Sequence, residues 1–452
     1  MTIGIIGMLL AIVVMIAGAY RGIKVIPLTF LAATVVILTN RMGIWQAYSE
    51  FYAGGFGGTI SRFFFIFVSS AIYAAIMEKT GCASSIGNQM VKWFGTKHVM
   101  AVVYFFTVIL TFGGVNLFVV FFAALPIAYV MFKEANLPRA LIIGPMGAGG
   151  AGITMTTLPG TPSLTNIIPS QHLGTPLTAA PLFSLILAVL IVALSLMYFR
   201  IAEASVRRKG EQFTFPVNFD TSNMNIDKSL LPHPVKAFVP IIFLPLFIIG
   251  SSVLNMVSGI NVPYAADPIQ LTTVAMLIGS ILCLLLNLKK AAGGAVKNWI
   301  TDGATNGLTA IMGLAAVLAF GAVVSSADAF QLILRWVMDI ELSVYLKALV
   351  STGIISGIVG SSSGGAVITL GALAPHFIEV AQTGGANLEV LHRLIAMSAG
   401  TLDTLPHVSA IFVFLSVLGC THKEAYKYLF WPTVVIPTIV TIIGVIAATI
   451  IW

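Results

Sequence analysis

Among long apolar stretches the chain sets one carboxylate and one imidazole four residues apart, in Asp403-Thr404-Leu405-Pro406-His407. An ionisable side chain at membrane depth costs several kcal/mol and marks function by default. Imidazole, with an ordinary pKa of about 6.5, exchanges protons in the physiological range. The chemistry such a pair offers is proton carriage by Asp403 or His407, with His407 alternatively donating to a carboxylate ligand. The competing reading makes Asp403 a helix cap and His407 a hydrogen-bonded interior residue. The pair stands out by elimination. Glu50, Glu134, Glu203, Glu211, Asp220, Asp227, Asp267, Asp339, Glu341, Glu379, Glu389 and Glu424 fall in loops, the linker or hairpin bases, and Glu78, Asp302 and Asp328 fall at span ends. His98, His172, His233, His376, His392 and His422 are set aside in the same way.

The segment around His407 has a counterpart. Thr157-Leu158-Pro159-Gly160 matches Thr404-Leu405-Pro406-His407, and each follows a glycine-rich interruption, Gly113-Gly114-Val115-Asn116 in the first half and Gly360 to Gly365 in the second. In lipid an unwound backbone is tolerated only where it is buried in protein or lines a wet cavity, and paired breaks point to a transporter's binding site. The expected binding set is Gly114, Asn116, Thr157, Gly160, Thr161, Ser361, Ser362, Ser363, Gly364, Thr404 and His407. Hydroxyls and an amide supply hydrogen bonds, and half-helices beginning at the tips aim free N–H groups and partial positive charge at a small anion. No lysine or arginine is then required. Gly149 and Gly150 serve either this site or close helix packing. For Arg62, in the third span, snorkelling outward is favoured over pairing with a ligand carboxylate.

These residues need a membrane scaffold, and composition supplies it. With 58% hydrophobic and 9% charged residues, the chain departs from soluble domains, where roughly a quarter of residues are charged. Spans are expected near 3–20, 25–39, 56–78 and 178–200, then near 237–256, 269–288, 304–327 and 430–451, with apolar pairs at 98–132 and 343–378 and broken helices at 139–169 and 393–419. The first span reads as retained and not as a signal peptide. Residues 1–200 and 237–452 form two matching repeats, joined by a polar linker at 201–236. Arms of about 15 residues are short for a bilayer, so each pair reads as a re-entrant hairpin. Five crossings per half then make the second repeat inverted. With the termini outside, all the basic residues lie on the cytoplasmic side except Arg41, Arg335, Lys347 and Arg393 outside and Arg62 within a span, as basic residues mark cytoplasmic loops.

Other classes fit less well. The net charge of +7 reflects this loop bias and attraction to the lipid bilayer, with no call for nucleic acid. Cys82, Cys283 and Cys420 show no metal-ligand spacing and read as apolar packing; no cofactor or metal is expected. Gly360-Ser361-Ser362-Ser363-Gly364 satisfies the hydrolase pattern G-x-S-x-G, but that pattern has meaning on a strand-to-helix elbow, and the duplicated tip lacks the nucleophile. No enzyme is expected. Charged rings or a carbonyl filter of the channel kind are absent from the sequence.

Over essentially its whole length the chain resembles the gluconate permease family of the ion transporter superfamily, and within it the branch of 3-hydroxybutyrate and related monocarboxylate permeases. The resemblance rests on Gly147 to Pro162 (GAGGAGITMTTLPGTP), Ser398 to His407 (SAGTLDTLPH) and the helix entry Thr421 to Tyr426. It implies an all-helical, elevator-type secondary transporter of the bacterial inner membrane, with scaffold and transport domains, commonly a dimer, that carries small organic acids with protons. Val408, Ser409 and Ala410 stand where the gluconate branch is more polar, which favours a small, sparsely hydroxylated acid. A gluconate-type sugar acid, or sodium in place of the proton, is the alternative.

Overall fold

The computed structural model describes residues 2–113, 115, 117–161, 163–215, 231–257, 267–291, 295–339, 341–383 and 385–452, and among them finds helices and turns but no strand. The first half runs through Thr2–Tyr20, Val25–Thr39, Ile44–Lys79, Cys82–Phe94, the pair Val99–Phe112 and Leu117–Glu134, a short helix Ile143–Gly147 continuing into a π turn Ala148–Thr154, then Leu164–Leu173 and Pro181–Arg208. The second half runs through Pro234–Val257, Pro268–Leu286, Val296–Ser325, Asp328–Asp339, the pair Val344–Val359 and Ser362–Gln382, Leu388–Ala399, Ser409–Leu418 and His422–Ile451. Nine helices among the described residues are long and apolar enough to cross a membrane.

Two expectations need correction. Cys82–Phe94 and Asp328–Asp339 are helices the span rule passed over, because one-sided apolar patterns of 13 and 12 residues fall below the length of a span. The hairpin argument from length also fails in part: the second arms, Leu117–Glu134 and Ser362–Gln382, are 18 and 21 residues long and each passes as a span. Val359 is followed by Gly360 at φ +70°, a left-handed conformation that glycine adopts without a Cβ penalty.

The long helices Ile44–Lys79 and Val296–Ser325 cross in tight contact. A Cβ on Gly307 would stand 2.8 Å from the Phe67 carbonyl oxygen, and one on Gly303 2.7 Å from the Ile72 Cα, so only glycine lets these backbones approach. Thr2–Tyr20 and Val25–Thr39 pack on the far end of the second of them through Met15, Ala33, Phe320 and Val323. The two halves also exchange partners. Phe121 of the first pair stacks on Phe414 of the second broken helix, with centroids 3.6 Å apart and planes at 2°. Reciprocally, Ile168 and Leu173 of the first broken helix pack with Ala366 and Leu370 of the second pair.

Candidate functional site

The second break spans 400–408 between Leu388–Ala399 and Ser409–Leu418. Unwinding frees carbonyls that must find donors, and the last helix provides them. Tyr426 Oη donates to the Thr404 carbonyl at 2.9 Å, and His422 Nε2 to the Pro406 carbonyl at 2.9 Å. The Thr404 hydroxyl donates to Thr433 Oγ1 at 2.9 Å. His407 is buried, and its Nε2 lies 2.9 Å from the Gly357 carbonyl. A carbonyl only accepts, so Nε2 carries the hydrogen and the neutral ring presents Nδ1 as an acceptor; Nδ1 is buried without a partner. The Asp403 carboxyl group stands beside Ser362, and its Oδ1 is buried and unpartnered. Both side chains of the expected proton pair thus end on an open acceptor.

The first break is anchored from the second half. Arg393, with no exposed surface, donates from Nη1 to the carbonyls of Thr156 at 3.2 Å and Leu158 at 3.5 Å, and from Nη2 to those of Leu177 at 3.4 Å and Ala179 at 3.3 Å. Its Nε finds no partner. Beside it, His392 bridges Asn166 Oδ1 at 2.8 Å and Thr175 Oγ1 at 2.6 Å, and Glu389 accepts from the Ala180 N–H at 2.8 Å. The breaks themselves touch. A Cβ on Gly400 would lie 2.4 Å from Thr156 Cγ2, and Thr156 stands before Thr-Leu-Pro in the first break as Asp403 does in the second.

Two cavities flank this centre. A cleft of about 120 Å³ is lined by Arg62, Asp267 and Thr272 on one side and by Val115, Thr154, Met155, Ser163 and Ser363 on the other. It joins both tips to the first break. A larger cavity of about 590 Å³ lies between Ala71, Glu78, Asp302 and Asn306 on the long helices and Phe122, Tyr129 and Ser416 opposite. Arg62 and Glu78 sit on one helix, so at 1.5 Å per residue the two openings stand about 24 Å apart along it.

The expected binding residues divide. Ser363 lines the smaller cleft. Ser362 meets Asp403. Ser361 caps its helix, accepting from the Gly364 N–H at 3.2 Å. Thr157 is buried, its hydroxyl 3.2 Å from that of Thr156. Gly160, at φ +79°, donates its N–H to the Leu177 carbonyl, and Thr161 bonds the Leu158 carbonyl and Ser163. Gly114 and Asn116 lie outside the described residues. The Thr404 hydroxyl donates to Thr433 of the last helix and keeps its lone pairs to accept. Gly149 and Gly150 serve packing, since a Cβ on the first would meet the Tyr104 carbonyl at 2.7 Å and one on the second Leu117 at 2.0 Å.

The elimination also needs revision. His392 and His422 are buried, as are Arg393 and Lys347. The error was one of register, since the helix begins at Leu388 and carries 392 and 393 inward. Asn387 gave the signal: it caps that helix, accepting from the N–H groups of Glu389 and Val390, as asparagine favours. Arg62, read as snorkelling, is exposed but lines the cleft with Ser363.

Comparison with known proteins agrees with the resemblance at family level. The description "GntP family permease" matches residues 1–452. The chain is 31% identical over 454 residues to the "Uncharacterized transporter YxjC" of Bacillus subtilis (strain 168), covering 94% of this chain and 95% of that one. It is 23% identical over 367 residues to an "Uncharacterized transporter" of Haemophilus influenzae, covering 80% and 78%. Among solved structures, the Alcanivorax borkumensis YdaH transporter aligns with a TM-score of 0.43 and 14% identity, over 98% of this chain and 97% of that one. The chain belongs to the GntP permease family and is a multi-pass membrane transporter.

Proposed function

We propose that this GntP-family transporter is a proton-coupled symporter for a small organic monocarboxylate, a short-chain hydroxy acid such as 3-hydroxybutyrate. The observation that carries the reading is the second break, where Asp403 Oδ1 and His407 Nδ1 are both buried acceptors without partners. A buried acceptor left open is costly unless something occupies it, and a proton is the smallest occupant. The carboxylate of the cargo is received in the cleft between the tips, where Ser363 offers a hydroxyl and Arg62 offers a charged fork suited to carboxylate. Arg393 adds a second positive charge behind the first break.

In this reading the halves are inverted repeats of a bacterial inner-membrane protein working as a homodimer. The tips and breaks ride as one body against the long helices, opening the cleft at Arg62 and the cavity at Glu78 in turn. A gluconate-type sugar acid is the second substrate reading and sodium the second coupling ion; the unfilled acceptors at Asp403 and His407 favour the proton. Counterflow into proteoliposomes loaded with a panel of short organic acids tests the substrate: exchange of labelled 3-hydroxybutyrate, and not of gluconate, is expected. Exchange of gluconate alone would replace this reading with the sugar acid one.

A further inference from the structure

Three sulfur atoms meet at a junction that the transport reading does not use. Met77 lies near the end of Ile44–Lys79, Cys82 opens Cys82–Phe94, and Cys283 lies on Pro268–Leu286. The Cys283 Sγ stands 3.8 Å from Cys82 Sγ and 3.6 Å from Met77 Sδ. All three side chains have no exposed surface. Sulfurs bound to one metal at about 2.3 Å stand about 3.8–4.0 Å apart, and Cys283 stands at close to that separation from each of the other two.

The neighbours fit sulfur that bears charge. The Asn287 amide donates to Cys82 Sγ at 3.3 Å, and the Thr80 hydroxyl lies 3.6 Å from Cys283 Sγ. Lys290 Nζ donates to the Thr80 carbonyl at 3.0 Å. The Tyr73 hydroxyl is fully buried and has no partner. The Asn287 amide thus supports a thiolate at Cys82 directly.

We propose that Met77, Cys82 and Cys283 form a binding site for a soft monovalent metal ion of the copper(I) class. Thiolate and thioether ligands select such ions. On binding, the two thiols release their protons to water and the ion takes their place, with no change of oxidation state. Two thiolates and one monovalent ion leave a single negative charge, which the Lys290 ammonium offsets. A divalent ion would leave the buried cluster with a net positive charge, which a low-dielectric interior disfavours.

The test titrates the purified full chain with Cu(I), without oxygen, against a chromogenic Cu(I) chelator. One equivalent per chain is expected, with three sulfur scatterers at about 2.3 Å in X-ray absorption. Cys82→Ser and Cys283→Ser lose the site, and Asn287→Leu weakens it about ten- to a hundredfold, as loss of a supporting hydrogen bond does. Cys420→Ser keeps it. If the serine variants do not fold, Met77→Leu decides, since affinity equal to wild type would overturn the three-sulfur site. Failure of the wild type to take up Cu(I), or uptake that persists in Cys82→Ser/Cys283→Ser, overturns the proposal.

Discussion

Arg393 Nη1 donates to the Thr156 carbonyl at 3.2 Å, a bond from the second broken helix to the unwound backbone of the first. Among the described residues no ion pair accompanies it. A guanidinium without a counter-ion is rarely kept inside a membrane protein, so it has to be held by the carbonyls it serves.

Replacing Arg393 should therefore act first on the shape of the site. Arg393→Met removes this donor from four carbonyls, of which Leu158, Leu177 and Ala179 keep another in Thr161, Gly160 and Ser184, so the loss falls mainly on the Thr156 carbonyl, where an orphaned buried group costs about 1–3 kcal/mol. Thermal unfolding of the detergent-solubilised protein should move to markedly lower temperature. Arg393→Lys, which keeps the charge but not the fork, should fall between. A melting curve for Arg393→Met equal to that of wild type would mean that the clamp contributes nothing.

Proton coupling should depend on Asp403 and His407. Asp403→Asn and His407→Gln preserve shape and remove titration, so accumulation driven by a pH gradient should vanish while exchange of labelled for unlabelled acid continues. Uphill accumulation surviving in both would transfer the role to Glu78 and Asp302, which line the larger cavity, or to sodium.

The tips should differ in their effects. Ser363→Ala removes a hydroxyl from the cleft and should weaken apparent affinity about ten- to a hundredfold, the equivalent of about 1.5–3 kcal/mol for a hydrogen bond to a charged group. Ser362→Ala removes the hydroxyl beside Asp403 and should change coupling more than affinity. Equal, small effects from both would reduce the tip to a packing device.

For topology, Lys209→Cys, at the exposed end of Pro181–Arg208, should resist an impermeant thiol reagent added to intact cells in a Cys420→Ser background. Ready labelling from outside would reverse the orientation of the repeats.

What the sequence disclosed and what it withheld have physical causes. The breaks at Thr157 and Thr404 and the tips at Gly113 and Gly360 were legible because glycine and proline punctuate apolar runs. Arg393 was not, since a side chain at the edge of an apolar run reads as external until the cap at Asn387 moves the helix start back. The amphipathic helices Cys82–Phe94 and Asp328–Asp339 were lost to a rule that measures span length. Cys82 and Cys283 lie 201 residues apart, and only the packing of Ile44–Lys79 on Pro268–Leu286 brings them together.

The face-to-face stack of Phe121 on Phe414 bears on how the protein is made. The first hairpin leaves the ribosome long before the helix that covers it has been translated, so Phe121 waits against lipid or an insertase until Ser409–Leu418 arrives. Ile168 and Leu173 likewise wait for Ala366 and Leu370. Neither half can reach its final packing alone. A chain truncated before residue 409 would lack the ring that covers Phe121.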